Sequence, residues 1–181
     1  MKKILIIGSP GAGKSTFANK LAKILNREIT HLDKLYYKTG WVRVPKDEWV
    51  AIVKNLVLKD EWIMDGNYRG TLNIRLEKSD TVILFNFNRF LCLCSAFTRS
   101  LNKNQPFDKA IGNKNKLSWD LVKKIITFPK RDLGRKLETH KGTNKIFIVR
   151  NRKEADELLK KLANPNLTPQ SPLQSTRERK T

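Results

Sequence analysis

Cysteine and histidine are both scarce in this chain of 181 residues, with two of each. Cys92 and Cys94 lie two positions apart, and residues at that spacing in a helix do not face each other. This argues against a disulfide framework and favours a reducing, cytoplasmic location. His31 and His140 have no acid or cysteine at metal-ligand spacing, so neither predicts a metal site.

Long apolar runs are also missing. The run Ile4–Ile7 is far shorter than the apolar region of a signal peptide. The stretch Phe85–Phe97 is apolar but short, and Asn86, Asn88 and Arg89 interrupt it. We therefore expect no membrane partner. Since 39% of the residues are hydrophobic, the chain can still bury a proper core.

Acidic residues are few compared with basic ones. The chain has 37 Lys and Arg against 17 Asp and Glu, which gives a formal net charge of +20. Such a surplus attracts polyanions: nucleotides, RNA, DNA or an acidic membrane surface. Charge alone does not choose among these partners.

Short apolar runs typical of buried strands alternate with amphipathic segments typical of helices. The predicted strands are Ile4–Ile7, Glu28–Leu32, Trp62–Met64, Thr81–Phe87 and Lys145–Arg150. The predicted helices are Gly13–Leu25, Lys46–Lys59, Phe90–Leu101, Ser118–Phe128, Pro129–His140 and Lys153–Leu162. This alternation predicts an α/β fold, with a mostly parallel sheet covered by helices on both faces.

The polar segment 102–117 predicts a mobile loop. From Asn164 to Thr181 the composition changes to Pro, Ser, Thr, Gln and charge, which predicts a disordered tail. The expected domain is therefore 1–163.

One complete chemical motif stands between the first strand and the first helix. Gly8–Ser15 matches G-x-x-x-x-G-K-[ST], in which backbone N–H groups and a helix N-terminus cradle phosphates. We expect Lys14 to reach the β- and γ-phosphates of ATP, and the Ser15 hydroxyl to ligate Mg²⁺. The residues predicted to bind the nucleotide are Gly8, Ser9, Pro10, Gly11, Ala12, Gly13, Lys14, Ser15 and Thr16.

Two carboxylates follow predicted strands. Asp33 comes after the second strand and Asp65 after the third, and ligands bind beyond the carboxyl ends of strands in open α/β sheets. Asp33 could orient the attacking oxygen or take its proton, and Asp65 could hold water around Mg²⁺. The alternatives are a helix cap or loop charge for Asp33 and a hairpin turn at Asp65-Gly66.

Arginines are expected to oppose the charge that develops during phosphoryl transfer. The basic second half of the chain could be a lid over a nucleotide or a nucleic-acid surface. Trp41 could pack or line the substrate pocket. The candidate arginines are Arg69, Arg75, Arg89, Arg99, Arg131 and Arg135.

Several segments resemble the bacterial DNA topology modulation proteins, which are adenylate-kinase-like P-loop kinases. These segments are Ile6–Ser15, His31–Asp33, Gly40-Trp41, Val44-Pro45, Glu48-Trp49, Trp62–Tyr68 and Arg75-Leu76. The resemblance implies a P-loop NTPase fold of the nucleoside-monophosphate-kinase type. It implies a five-stranded parallel sheet in the order 2-3-1-4-5 and a lid at about 101–140.

The resemblance also implies roles for particular residues. Arg99 aligns with a lid arginine, and Arg152 lies in the segment that passes the adenine. The resulting prediction is Mg²⁺-dependent phosphoryl transfer from ATP to a small acceptor, which is a nucleotide or a hydroxylated metabolite. Lys14, Asp33 and Arg99 are its catalytic residues, together with Arg131 or Arg135. The alternatives are an ATP-binding regulator on DNA or RNA and a polynucleotide 5′-hydroxyl kinase. We expect a monomer or homodimer.

Overall fold

The computed structural model describes residues 1–101 and 117–163. The strands are β1 (Lys3–Gly8), β2 (Ile29–His31), β3 (Trp62–Asp65), β4 (Thr81–Phe85) and β5 (Lys145–Val149). The α-helices are α1 (Lys14–Leu25), α2 (Leu32–Tyr36), α3 (Lys46–Leu58), α4 (Leu72–Lys78), α5 (Arg89–Leu101), α6 (Trp119–Ile126), α7 (Lys130–Glu138) and α8 (Arg152–Ala163). Short 3₁₀ turns occur at Thr39–Trp41 and Arg69–Thr71.

The five strands form one parallel sheet in the order β2-β3-β1-β4-β5. In the central strand, Ile6 lies opposite Asp65 of β3 and Ile83 of β4. The loops that follow β1, β2 and β3 therefore leave the sheet at the same edge. The predicted fold class and strand order are confirmed.

A hydrophobic core lies on each face of the sheet, because side chains alternate along each strand. Ile4 and Ile6 of β1 enter one core, and Leu5 and Ile7 enter the other. The first core is completed by buried residues of α1, α5, α6 and α8, and the second by buried residues of α3, α4 and α7. The near-continuous apolar strands follow from burial on both faces.

Two short helices that the sequence did not predict follow β2 and β3. Helix α2 has five residues and α4 has seven, too few for helical periodicity to stand out. Three strands, β2, β4 and β5, are also shorter than predicted. Strands β4 and β5 end at Phe85 and Val149, because these are the last two residues that pair with each other. Leu32 starts α2 and is not part of β2.

The second half of the predicted lid packs on the domain. Helices α6 and α7 and the segment between them contribute buried Ile125, Phe128, Leu133 and Leu137 to the two cores. The predicted loop within 102–116 and the predicted tail 164–181 lie outside the described residues. Among the residues that are described, no helix is long and apolar enough to cross a membrane.

Candidate active site

The predicted phosphate loop joins β1 to the start of α1. Gly13 caps the helix with φ +83°, no side chain caps its N-terminus, and its first turn contains no acidic residue. The first N–H groups and the positive end of the helix dipole therefore point at a site that favours an anion. The Lys14 ammonium folds back over the loop, with Nζ 3.0 Å from the Ser9 carbonyl oxygen.

Close packing explains two of the motif's glycines. A Cβ at Gly8 (φ +143°) would lie 2.3 Å from the Phe85 carbonyl oxygen, and one at Gly11 (φ +78°) would lie 2.3 Å from that of Cys92. Strand β4 and helix α5 thus leave no room for a side chain at either position. Burial raises the pKa of the Cys92 thiol, which favours a neutral packing group beside the loop.

A cavity of about 780 Å³ opens beside the phosphate loop and contains most of the predicted catalytic groups. Lys14, Ser15, Asp33, Asp65 and Arg99 all line it. They lie in α1, α2, β3 and α5, and the parallel sheet brings the end of β3 and the helices that follow β1, β2 and β4 to one edge. The cavity is large enough for a small substrate beside the transferred phosphate.

Asp65 is the buried carboxylate of this cavity, with 5% of its surface exposed. Its Oδ2 lies 3.3 Å from His31 Nδ1, and its Oδ1 has no hydrogen-bond partner among the described residues. A buried carboxylate oxygen without a partner is costly, and a cation or its water shell would relieve that cost. The Ser15 hydroxyl and Asp65 therefore fit the predicted Mg²⁺ site. The hairpin-turn alternative is wrong, because β3 pairs only in parallel within the described sheet.

Asn67 joins the loop after β3 to the phosphate loop, and the sequence analysis missed this role. The Gly8 N–H donates to Asn67 Oδ1 at 2.9 Å, and Asn67 Nδ2 donates to the Gly8 carbonyl at 2.6 Å. One amide side chain thus satisfies both polar groups of Gly8. No local signal reveals this contact, because its partners are 59 positions apart.

Arg75 is fully buried beneath the same loop and donates every hydrogen bond to a backbone carbonyl. Its Nη1 reaches Gly66 at 2.7 Å, its Nη2 reaches Asn67 and Tyr68 at 2.8 Å each, and its Nε reaches Thr71 at 3.3 Å. Burial lowers the pKa of Arg75 to about 9, which leaves it charged at neutral pH. Arg75 was a candidate to contact phosphate; its contacts instead make it the support of this loop.

Aromatic rings form a cluster at the end of the cavity that faces α2. Tyr36 is the centre of this cluster, with ring centroids 4.8 Å from Tyr37, 5.0 Å from Trp49 and 4.6 Å from Tyr68. Trp41 extends it, 5.2 Å from Tyr37. All of these rings except that of Trp49 line the cavity, so Trp41 takes the lining position that was one of its two alternatives.

Asp33 lies at this aromatic end of the cavity. The Tyr68 hydroxyl donates a hydrogen bond of 2.5 Å to Asp33 Oδ1. Burial, and then the negative charge of Asp33, raise the pKa of Tyr68 well above its usual range, and the same two causes raise that of Tyr37. Both phenols therefore remain protonated donors beside the carboxylate.

A second cavity, of about 380 Å³, lies on the other side of the phosphate loop. Arg99, Arg152 and Thr16 line it, and Arg152 Nη2 donates to Ser95 Oγ at 3.1 Å. Arg99 borders both cavities. It therefore lies at the boundary between the two cavities.

Arg131 and Arg135 are exposed on α7 and are not among the residues that line either cavity. Arg135 forms an exposed ion pair with Asp132 at 2.8 Å. The cations that α6 and α7 bring to the larger cavity are Lys124 and Lys136. A catalytic role for Arg131 or Arg135 stays a prediction.

Comparisons with known proteins support the fold. No protein-family model and no curated protein matches the chain. A gluconokinase from Sinorhizobium meliloti 1021 superposes with a TM-score of 0.52 at 14% identity, over 90% of this chain and 93% of that one. A sugar kinase from Janibacter sp. HTCC2649 superposes with a TM-score of 0.47 at 10% identity, over 89% of this chain and 91% of that one. The parallel sheet, its strand order and its flanking helices are those of a P-loop kinase fold.

Proposed function

We propose that this chain is an Mg²⁺-dependent phosphotransferase that moves the γ-phosphoryl group of ATP to a small hydroxylated acceptor. The observation that carries the proposal is the larger cavity, where the phosphate-loop residues Lys14 and Ser15 share a surface with Asp33 and Asp65. A phosphate site and carboxylates around a substrate-sized space are what direct transfer requires. The gluconokinase fold agrees with this proposal.

The donor phosphates would lie against the N–H groups at the start of α1, with Lys14 on the β- and γ-phosphates. The adenosine would extend into the smaller cavity, beside Thr16 and Arg152. Mg²⁺ held by Ser15 and, through water, by Asp65 would neutralise charge on the phosphates. Arg99 would face the transferred group from the boundary of the two cavities.

Transfer would proceed by attack of the acceptor oxygen on the γ-phosphorus. The new P–O bond forms as the bond to the bridging oxygen breaks, and ADP leaves with that electron pair. The acceptor proton passes to Asp33. Little covalent chemistry is required of the protein, whose contribution is positioning and charge stabilisation.

The test combines binding with turnover. Mg-ATP should raise the melting temperature of the wild type by linkage, and ADP should form when the correct acceptor is added. Lys14→Ala should lose turnover by about 10³-fold, as when other preorganised charge contacts are removed. Lys23→Ala is the matched control, because Lys23 is exposed in the last turn of the same helix. Equal turnover in both variants would remove the phosphate loop from the mechanism.

The charge of +20 supports a second candidate, an ATP-binding regulator on DNA or RNA of the kind suggested by the resemblance to DNA topology modulation proteins. A polynucleotide 5′-hydroxyl kinase would combine both features. Both candidates need nucleic acid to bind tightly at physiological salt, which a salt titration measures directly.

A further inference from the structure

Two buried side chains of the larger cavity, His31 and Asp65, lie side by side on neighbouring strands. They are register partners in the parallel pair of β2 and β3, so both side chains leave the sheet on the same face. Each residue is 5% exposed. His31 Nδ1 lies 3.3 Å from Asp65 Oδ2, whereas Asp65 Oδ1 has no hydrogen-bond partner among the described residues. The contact with His31 therefore decides which carboxylate oxygen is left for a ligand in the cavity.

The other nitrogen of the His31 ring contacts helix α1. Asn19 Nδ2 lies 3.3 Å from His31 Nε2 and 2.9 Å from the Ser15 carbonyl oxygen. Since a carbonyl oxygen only accepts hydrogen bonds, the Asn19 amide must turn its NH₂ group toward Ser15. A flipped amide would place two acceptor oxygens 2.9 Å apart. The second N–H of Asn19 is then directed at His31 Nε2, which must accept it.

This chain of contacts fixes the position of the hydrogen on the imidazole ring. A ring whose Nε2 accepts from Asn19 carries its hydrogen on Nδ1, and this N–H donates to Asp65 Oδ2. The opposite tautomer would set two donors against each other at Nε2 and two acceptors against each other at Nδ1. The contacts thus run from Ser15 to Asp65, the two residues that fit the Mg²⁺ site.

We infer that His31, held by Asn19, is a positioning residue that orients the Asp65 carboxylate and leaves its Oδ1 for Mg²⁺ or the water around it. This inference rests on the proposed Mg²⁺-dependent function and adds two residues to it. Partners that orient a metal ligand are typically worth about 10–100-fold in metal affinity. Local sequence gives no signal for this chain, because 12 and 34 positions separate its partners.

Asparagine and glutamine in place of His31 separate this role from a merely space-filling one. The amide of asparagine can place its NH₂ group near the position of Nδ1, and the longer side chain of glutamine places it near the position of Nε2. His31→Asn therefore keeps a donor for Asp65, and His31→Gln moves the donor away from it. The two variants are a matched pair, since both replace the ring by a neutral amide.

The first test is the tautomer of His31 in the wild-type protein, recorded by NMR at about pH 8, where free imidazole is neutral. The chain has two histidines, so the ring signals of a ¹⁵N-histidine sample are assigned by comparison with His140→Gln. The proton–nitrogen correlations should be those of an Nδ1–H ring. Asn19→Ala should change them, because the ring loses its donor at Nε2. A hydrogen on Nε2 in the wild type would overturn the inference.

The second test is the affinity for a divalent ion, measured with Mn²⁺ as a paramagnetic substitute for Mg²⁺ in the ADP complex. His31→Asn should stay within about threefold of the wild type, and His31→Gln should bind Mn²⁺ about tenfold more weakly, the low end for a lost partner of a metal ligand. Asn19→Ala should also bind it more weakly. The metal-free affinity for ADP should be unchanged in both His31 variants, since the inferred role is exercised through the metal.

The outcomes separate this inference from the proposed function. Equal losses of Mn²⁺ affinity in His31→Asn and His31→Gln, or no loss in His31→Gln, would overturn the inference and leave the proposed function standing. Wild-type protein that binds ADP equally well with and without Mn²⁺ would remove the proposed Mg²⁺ dependence as well. If His31→Gln does not fold by far-UV circular dichroism, Asn19→Ala decides, because an unchanged tautomer and an unchanged Mn²⁺ affinity in that variant would contradict the inference.

Discussion

Arg75 offers the sharpest test of how the site is supported, because a fully buried guanidinium holds the loop after β3 by four backbone carbonyls. We predict that Arg75→Met destabilises the protein strongly. Methionine fills much of the same space, but it cannot donate to the carbonyls of Gly66, Asn67, Tyr68 and Thr71. Those carbonyls would remain beside an apolar side chain.

The expected loss can be estimated from the contacts. Hydrogen bonds to charged groups contribute about 1.5–3 kcal/mol each, but four bonds from one side chain are not additive. Removing one partner from a buried charged network typically costs about 3–5 kcal/mol. For a domain of this size, that loss lowers the melting temperature by about 6–20 °C. Arg75→Lys keeps the charge but lacks the planar guanidinium fork, so its free energy of unfolding should lie between those of Arg75→Met and the wild type.

The measurement is urea unfolding followed by far-UV circular dichroism, with thermal melts as a second readout. The matched control is Arg69→Met, since Arg69 lies in the segment that Arg75 supports but is exposed, and a surface change usually stays within about 0.5 kcal/mol. A loss below about 1 kcal/mol for Arg75→Met, with an unchanged m-value, would refute the support role. If Arg75→Met does not fold, the stability of Arg75→Lys is compared with that of the wild type instead.

Three further predictions concern other contacts and the surface. Asn67→Ala should reduce the stabilisation by Mg-ATP in a thermal shift assay, because Gly8 loses both partners; an unchanged shift would contradict the link. Burial raises the pKa of Asp80, but hydrogen bonds from Thr81 and from the N–H groups of Lys3 and Lys2 outweigh it and lower the pKa overall. Since this depressed pKa stabilises the fold at neutral pH, wild type should be more stable than Asp80→Asn at that pH. The difference in the free energy of unfolding should vanish as the pH falls below about 4. A difference that stays constant across the acid range would argue against this role of Asp80. Duplex DNA binding should fall by orders of magnitude between about 50 and 200 mM salt and show no sequence preference; selective binding at the higher salt would favour the regulator.

Local sequence predicted the part of the site whose contacts are local. The phosphate loop is a continuous segment in which backbone conformation, glycines and helix start are encoded together, so Gly8–Ser15 could be identified without a structure. Alternating strand and helix patterns likewise predicted a parallel α/β sheet. The strand order came from the family resemblance, because periodicity does not specify which strands are neighbours.

The support of the site could not be predicted from local sequence. In the sequence, nothing distinguishes Arg75 from an arginine that binds phosphate. Its burial is decided by the packing of α4 against the sheet. Short helices such as α2 are stabilised by tertiary contacts, and their own residues give a weak signal. Strand ends likewise depend on where the neighbouring strand ends, as Phe85 and Val149 show.

The sequence by itself determined that this chain has a phosphate-loop motif and that it forms alternating strands and helices, since both depend on residues close together along the chain. The tertiary structure alone decided how the larger cavity and its supporting contacts are built. Tyr68 meets Asp33 across 35 positions, and Asn67 meets Gly8 across 59. A hydrogen bond between distant residues leaves no periodic or local pattern, and it exists because parallel strands bring their following loops to one edge of the sheet.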